Sequence, residues 1–246
     1  MAEPHAIPGR RPVTEALRAG RALQRVWFED RADLTTLVAA AEQAGVDVAQ
    51  GTRAELDALA YGVAHQGIVG IAALFRYARL DELAETDLVV VLDGVTDPQN
   101  LGAIARSAEQ AGAGALVLPR RRSAMVTAAA EKASAGAFSW LSVAVVPNIT
   151  RALADLAGRG FWSVGLAGEG PETLWDAHLL DGPVAVVVGA EGRGLSRLVR
   201  ERVDALVRIP MRGRLDSLNV SAATAVALFE VVRRRRRREG VPPTPG

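Results

Sequence analysis

Three stretches of the chain carry residues whose types and spacing suit a ligand site. The first is LDGVTDPQNLGAIARSAEQAG (92–112). An apolar run ends in turn formers from Asp93 to Pro98. A helical pattern follows, with Leu101, Ile104, Ala105, Ala108 and Ala111 on one face and Arg106 opposite. A strand end that turns into a helix start points backbone N–H groups outward, the usual ligand position in α/β proteins. Gly102 there removes a side chain so that something can approach the helix. Asn100 can donate and accept hydrogen bonds, and Arg106 can pair with a phosphate. The plainer reading of Arg106 is a solvated helix face.

The second stretch is VVVGAEGRGLS (186–196), where Gly189, Gly192 and Gly194 crowd a strand exit. Glycines allow close approach of backbone to a ligand. Their order does not match the dinucleotide fingerprint or a phosphate-binding P-loop, which argues against a nicotinamide oxidoreductase. Glu191, inside the loop, can cap a neighbouring helix or hold an arginine; a tight structural turn is the alternative. The third stretch is IPMRGRLDSLNVSAATAVALFE (209–230). Ser221 is expected to cap a long apolar helix over 221–235 that buries Ala222, Ala225, Val226, Phe229 and Val232. Asp216, Ser217 and Asn219 exceed what one cap needs, which suits a pocket with a few fixed hydrogen bonds.

The elements that must position these residues are those of an α/β chain. The segment 1–73 reads as helix 12–20, strand 23–30, helix 32–45, strand 46–50, helix 52–60 and strand 67–74, with Thr52 and Glu55 spaced as a capping box. A charged connector spans 74–86. Strands are predicted at 87–93, 114–119, 161–167, 183–190 and 205–210, near-continuous apolar runs that alternate with helices and so belong to a parallel sheet covered on both faces. The arginine run 233–238 leads into a Pro- and Gly-rich end, and the tail 237–246 is expected to be disordered.

Composition narrows the chemistry. The chain has no cysteine, so thiolate metal sites and a Cys nucleophile are excluded, and His5, His65 and His178 are too scattered to suggest a metal cluster. No apolar run reaches the roughly 18 residues of a membrane span, and the first twelve residues lack a signal-peptide core, so a cytoplasmic protein without metal or membrane is expected. Net charge is only +1 and does not by itself announce nucleic acid. Lys132 is the only lysine; every other basic side chain is arginine. That fits either the phosphate-gripping guanidinium fork or the codon bias of a GC-rich genome.

Together and in this order, DPQNLGAIARSAEQAG, VVVGAEGRGL and IPMRGRLDSLNVSAATAVALFE resemble the three motifs of the SpoU, or TrmH-type, RNA ribose 2'-O-methyltransferases of the SPOUT superfamily. SAGA (134–137) fits as well. AHQGIVG (64–70) resembles the end of the substrate-binding domain in the ribosomal-RNA guanosine branch. GRRPVTEAL (9–17) departs most, with Arg11 where relatives often have Asn or His.

The resemblance implies a small N-terminal α/β RNA-binding domain (1–73), a linker (74–86) and a parallel-sheet methyltransferase domain (87–236) whose C-terminal chain forms a trefoil knot. Nothing in the periodicity shows a knot. It also implies a homodimer in contact through the last helix. The implied reaction is S-adenosylmethionine-dependent 2'-O-methylation of a ribose in large-subunit ribosomal RNA, on a guanosine. Transfer RNA and a ribosomal adenosine are the alternatives. Gly189, Ile209, Leu218, Ala167 and Gly168 match cofactor positions. Arg106 matches the residue proposed as the base; a phosphate clamp is the other role open to it. Asn100 is expected to orient the ribose or Arg106, Glu191 to anchor the loop, and Ser217 and Asn219 to contact substrate and the donor pocket. A catalytically silent RNA-binding protein is the rival class, disfavoured by these residues being intact.

Overall fold

The computed structural model describes residues 4–238. It divides into two compact units. The first holds the chain up to Arg76, Pro98–Arg106 and Met125–Leu141; the second holds Tyr77–Asp97, Ser107–Ala124 and the chain from Ser142 onward.

The first unit contains a four-stranded sheet of β1 (His5–Pro8), β2 (Leu23–Phe28), β3 (Asp47–Gln50) and β4 (Ile68–Ala72), in the order β1-β4-β2-β3. β2 and β3 are parallel, while β4 runs antiparallel to β1 and β2. Helices α1 (Arg10–Arg18) and α2 (Thr35–Gln43) cover one face over Ile7, Val13, Val26 and Ile68. Helix α3 (Arg53–Leu59) buries Leu56 with Ala6, Val69 and Ile71 in a second cluster. The Thr52–Glu55 capping box forms: the Thr52 N–H donates to Glu55 Oε2 at 2.7 Å and the Glu55 N–H to Thr52 Oγ1 at 3.4 Å. β1 is a strand that sequence patterning missed, four residues closed by Pro8.

Helix α4 (Pro98–Gln110) begins in this unit, and α5 (Ala128–Ser134) belongs to it. Glu131 of α5 is fully buried. Its Oε1 accepts from Arg21 Nη1 at 2.6 Å and lies 2.7 Å from His5 Nε2. Phe75 packs beside His5 and beneath the Arg21 guanidinium, 5.6 and 5.2 Å away respectively. Glu131 Oε2 has no hydrogen-bond partner among the described residues. This ion cluster fastens α5 to β1 and to the turn after α1.

The second unit is a seven-stranded sheet in which every pairing is parallel, in the order β7-β6-β5-β10-β8-β11-β9. Its strands are β5 (Leu88–Asp93), β6 (Ala115–Pro119), β7 (Ser142–Val146), β8 (Trp162–Leu166), β9 (Glu172–Thr173), β10 (Val184–Gly189) and β11 (Ala205–Arg208). The central strands are buried on both faces, as the apolar runs predict. Helices α6 (Ile149–Ala157) and α7 (Arg197–Arg202) cover one face through Ile149, Leu153, Leu156 and Val199. β7 was missed: SVAVV is a five-residue run whose length does not separate strand from helix.

The last helix, α8, spans Val220–Arg238. It starts one residue earlier than expected, and its buried residues are Val220, Thr224, Ala227, Leu228, Glu230 and Val231. The predicted face is therefore wrong: Ala222 and Phe229 are exposed. Apolar residues stand on most sides of the helix's own first three turns, so periodicity alone could not choose the stripe. Arg237 and Arg238, expected in a disordered tail, continue the helix; 239–246 lie outside the described residues. None of the described helices is long and apolar enough to cross a membrane.

Candidate active site

Because the second unit's strands are all parallel, their C-terminal ends share one edge, where side chains from different loops can converge. At the β8 and β11 end of that edge is a cavity of about 520 Å³. Ala167, Gly168, Ile209, Ser217 and Leu218, five of the expected site residues, line it together with Leu166, Val207 and Asp216. Its size falls within the range of small-molecule sites. Two turns build it. After β8, the Ala167 N–H bonds the Val207 carbonyl and the Gly170 N–H bonds the Ala167 carbonyl, both at 2.9 Å. Arg208, the last residue of β11, donates from Nη1 to the carbonyls of Gly170 and Pro171 at 2.6 and 2.7 Å, which ties the end of β11 to the turn after β8. A Cβ at Gly168 would meet nothing within 4 Å. Packing does not force that glycine; it leaves room beside the cavity.

Gly189 does not line this cavity. A Cβ there would come 2.0 Å from the carbonyl carbon of Gly194, so the glycine admits the chain's own loop folding back over the end of β10. The fold-back is a two-way bridge: Ala190 N–H to Gly194 O at 3.1 Å, and Gly194 N–H to Ala190 O at 2.8 Å. Gly192 and Gly194 take left-handed φ values of 74° and 65°, open to glycine without strain. Asp93, at the end of β5, accepts from the Ser196 N–H at 2.6 Å and pins the loop to the neighbouring strand. In the sequence Asp93 reads only as a turn former. Glu191 is exposed on this loop.

Asn219, not Ser221, caps α8. Its Oδ1 accepts from the Ser221 N–H at 2.9 Å and from the Ser221 hydroxyl at 2.6 Å. Asn219 precedes the first helical residue, where such a side chain reaches the orphan N–H groups; the cap lies two residues before the expected one. Asp216, Ser217 and Leu218 are exposed in the segment before it.

Asn100 and Arg106 lie on α4, in the first unit. Leu101, Ile104, Ala105 and Ala108 are fully buried, as the spacing predicts. Arg106 is exposed, with no ion pair among the described residues. Asn100 is buried. Gly102 has a different reason from the one expected: a Cβ there would sit 2.5 Å from the Ala130 carbonyl oxygen and 2.5 Å from Ala133 Cβ. What approaches the helix at Gly102 is α5, not a ligand. No group of three or more His, Asp or Glu suited to a metal occurs among the described residues.

Known proteins resemble the chain over nearly its whole length. The family model described as the SpoU rRNA Methylase family matches residues 87–229. That described as RNA 2'-O ribose methyltransferase substrate binding matches residues 6–78. The 23S rRNA (guanosine-2'-O-)-methyltransferase RlmB of Pseudomonas syringae pv. tomato is 43% identical, over 96% of this chain and 98% of that protein. An uncharacterized tRNA/rRNA methyltransferase of Mycobacterium avium is 43% identical, over 95% of this chain and 79% of its own length. Among solved structures, the AdoMet-bound rRNA methyltransferase from Sinorhizobium meliloti matches with a TM-score of 0.78 at 26% identity, covering 96% of this chain and 88% of that one.

Proposed function

The chain belongs to the SpoU rRNA methylase family and is an RNA ribose 2'-O-methyltransferase, and from that premise we propose that it methylates a guanosine of large-subunit ribosomal RNA with S-adenosylmethionine as methyl donor. The observation that carries the guanosine reading is the near end-to-end match to the Pseudomonas syringae guanosine enzyme. The A. aeolicus TrmH/SpoU tRNA modifying enzyme, by contrast, covers 66% of this chain with a TM-score of 0.57, which favours ribosomal over transfer RNA. An enzyme of ribosomal RNA works where ribosomes are made, and we place it in the cytoplasm.

The cavity between the turns after β8 and β11 fits the donor. Leu166, Val207, Ile209 and Leu218 give apolar walls, and Gly168 leaves room. Ala167, Gly168, Ile209 and Leu218 would hold S-adenosylmethionine, with Gly189 shaping the loop beside them. Bound there, the cofactor supplies a sulfonium methyl group for an oxygen nucleophile.

The chain must align the ribose hydroxyl and stabilise the charge that develops on it. We assign that work to Arg106. A guanidinium stays charged in proteins, so its role is to hold a substrate phosphate and offset negative charge. Asn100 orients the ribose or Arg106, Glu191 anchors the β10 loop, and Ser217 and Asn219 contact substrate and donor. A homodimer belongs to this reading: α8 leaves Phe229 47% exposed and Ala222 exposed, an apolar stripe suited to a second copy. So do the domain limits 1–73 and 87–236 and the C-terminal knot, which the family resemblance implies.

Arg106→Ala tests the assignment. The variant should melt normally and bind S-adenosylmethionine normally, yet lose methyl transfer in single turnover. Arg106→Lys should also fail, because an ammonium lacks the bidentate fork. A normal single-turnover rate in Arg106→Ala would overturn the role.

A further inference from the structure

The longest basic block of the second unit is largely engaged by the fold itself. The six-arginine run 233–238 is the longest basic block in the chain, and read alone it is the first candidate for a phosphate contact. The fold uses it otherwise. Arg233 grips Glu230 through two hydrogen bonds of 2.6 Å each. Arg234 reaches Glu230 and Asp181 at 2.9 and 3.1 Å. Arg235 donates to the Asp87 carboxylate and to its carbonyl, both at 2.9 Å, and Arg238 donates to the Asp181 carbonyl. Asp87 immediately precedes β5, and Asp181 shortly precedes β10, so these ties hold the end of α8 to the N-terminal edge of the sheet. The candidate donor cavity is on the opposite edge.

A second basic block lies on the cavity's edge. Arg120, Arg121 and Arg122 follow the C-terminal end of β6 directly. All three are exposed, and none has an ion pair among the described residues. Arginines elsewhere in the unit are mostly occupied: Arg79 by Asp81, Arg197 by Glu201, Arg200 by Glu169. Arg151 and Arg202 also have no ion pair among the described residues, but stand singly on α6 and at the end of α7.

The loop that carries the block is fixed from both sides. The Arg120 N–H donates to the Val146 carbonyl at the end of β7, and the Ala124 N–H to the Val95 carbonyl just past β5, each at 2.8 Å. Arg122 takes a left-handed φ of 57°. A bulky residue is rarely found in that conformation, and such outliers gather at functional sites. Bracing the loop removes the backbone share of the ordering cost on binding an anion, and only the three arginine side chains remain to be ordered.

We propose that Arg120, Arg121 and Arg122 clamp the RNA backbone through its phosphates, on the flank of the nucleotide that receives the methyl group. The inference rests on the reading of the chain as an RNA methyltransferase. β6 stands three strand spacings from β8, about 14 Å at the usual interstrand distance, which sets the clamp to one side of the donor cavity and leaves that cavity free. Arg193, Arg212 and Arg214 stand on the same edge but share their loops with Glu191 and Asp216, so the net positive charge is greatest after β6.

The test is the salt dependence of RNA binding by the full chain, with a large-subunit ribosomal RNA fragment as the probe. The clamp variant is Arg120→Ala, Arg121→Ala, Arg122→Asn, where Asn suits the left-handed backbone. The control is Arg79→Ala, Arg151→Ala, Arg197→Ala, which removes the same charge elsewhere. The clamp variant should lose about tenfold in RNA affinity or more, and the magnitude of its log-affinity against log-salt slope should fall by about 2 for three phosphate contacts on a single strand. S-adenosylmethionine affinity and melting should not move, and the control should keep the wild-type slope. An unchanged slope in the clamp variant, or an equal change in the control, overturns the clamp. If wild type transfers no methyl to RNA, the enzymatic reading fails by itself, while the slope still reports on the clamp.

Discussion

Replacing Glu131 by alanine should destabilise the first unit far more than an ordinary helix substitution. The carboxylate is fully buried and serves two partners, Arg21 and His5, whose side chains are 16% and 8% exposed. Deleting one member of a buried ion cluster strands the others, at a cost of about 3–5 kcal/mol. The lower end applies here, because Arg21 keeps some access to water and Glu131 Oε2 makes no hydrogen bond whose loss would add to the cost. At roughly 2–4 °C per kcal/mol for a chain of this size, about 3 kcal/mol lowers the melting temperature by about 6–12 °C. Thermal unfolding followed by far-ultraviolet circular dichroism measures it. Adding Arg21→Met should restore part of the loss, since the stranded charge is then gone. The substitution also reaches function, because α5 packs on Gly102 of the helix that carries Arg106; methyl transfer should fall with the melting temperature. A shift under about 2 °C would refute the reasoning, since it would mean that the cluster is solvated in solution.

Gly102→Ala should melt a few degrees lower: the gain of about 1 kcal/mol in helix propensity is outweighed by overlap with the Ala130 backbone, with overpacking costing about 1–3 kcal/mol; a variant as stable as wild type would mean that the space is open to a ligand. Leu218→Asp should weaken S-adenosylmethionine binding measured by calorimetry while RNA affinity is kept, and unchanged donor affinity would remove the cavity from the account. Burial pushes the Glu230 carboxyl up, but Arg233 and Arg234 more than offset it and hold it below its ordinary 4.5. Its contribution is therefore present above that value and lost as pH falls through the lowered one. Glu230→Gln should flatten the acid limb of stability measured by melting as pH falls below 4.5, and an unchanged limb would show that the arginines do not stabilise the carboxylate.

The parallel sheet was legible because long apolar runs such as Leu88–Asp93 and Val184–Gly189 admit few other structures. β1 and β7 escaped because four or five residues carry too little pattern. The cavity residues Ala167, Gly168, Ile209, Ser217 and Leu218 were picked out by motif position and do line one space. The glycines were harder: a glycine at a strand exit or helix start announces close approach but not what approaches. At Gly102 it is a helix and at Gly189 the chain's own loop. Charge was harder still. Six consecutive arginines stand out in a sequence, but only the fold shows that Asp87, Asp181 and Glu230 engage members of that run and that none engages Arg120–Arg122.

The central claim is methyl transfer to a ribose oxygen of ribosomal RNA. The direct measurement incubates the purified chain with methyl-labelled S-adenosylmethionine and large-subunit ribosomal RNA that lacks the modification, followed by nuclease digestion and mass spectrometry of the nucleosides. The account predicts label in 2'-O-methylguanosine, and none with Arg106→Ala. Label on a base, or no transfer to ribosomal RNA by a folded chain that binds the donor, would contradict it.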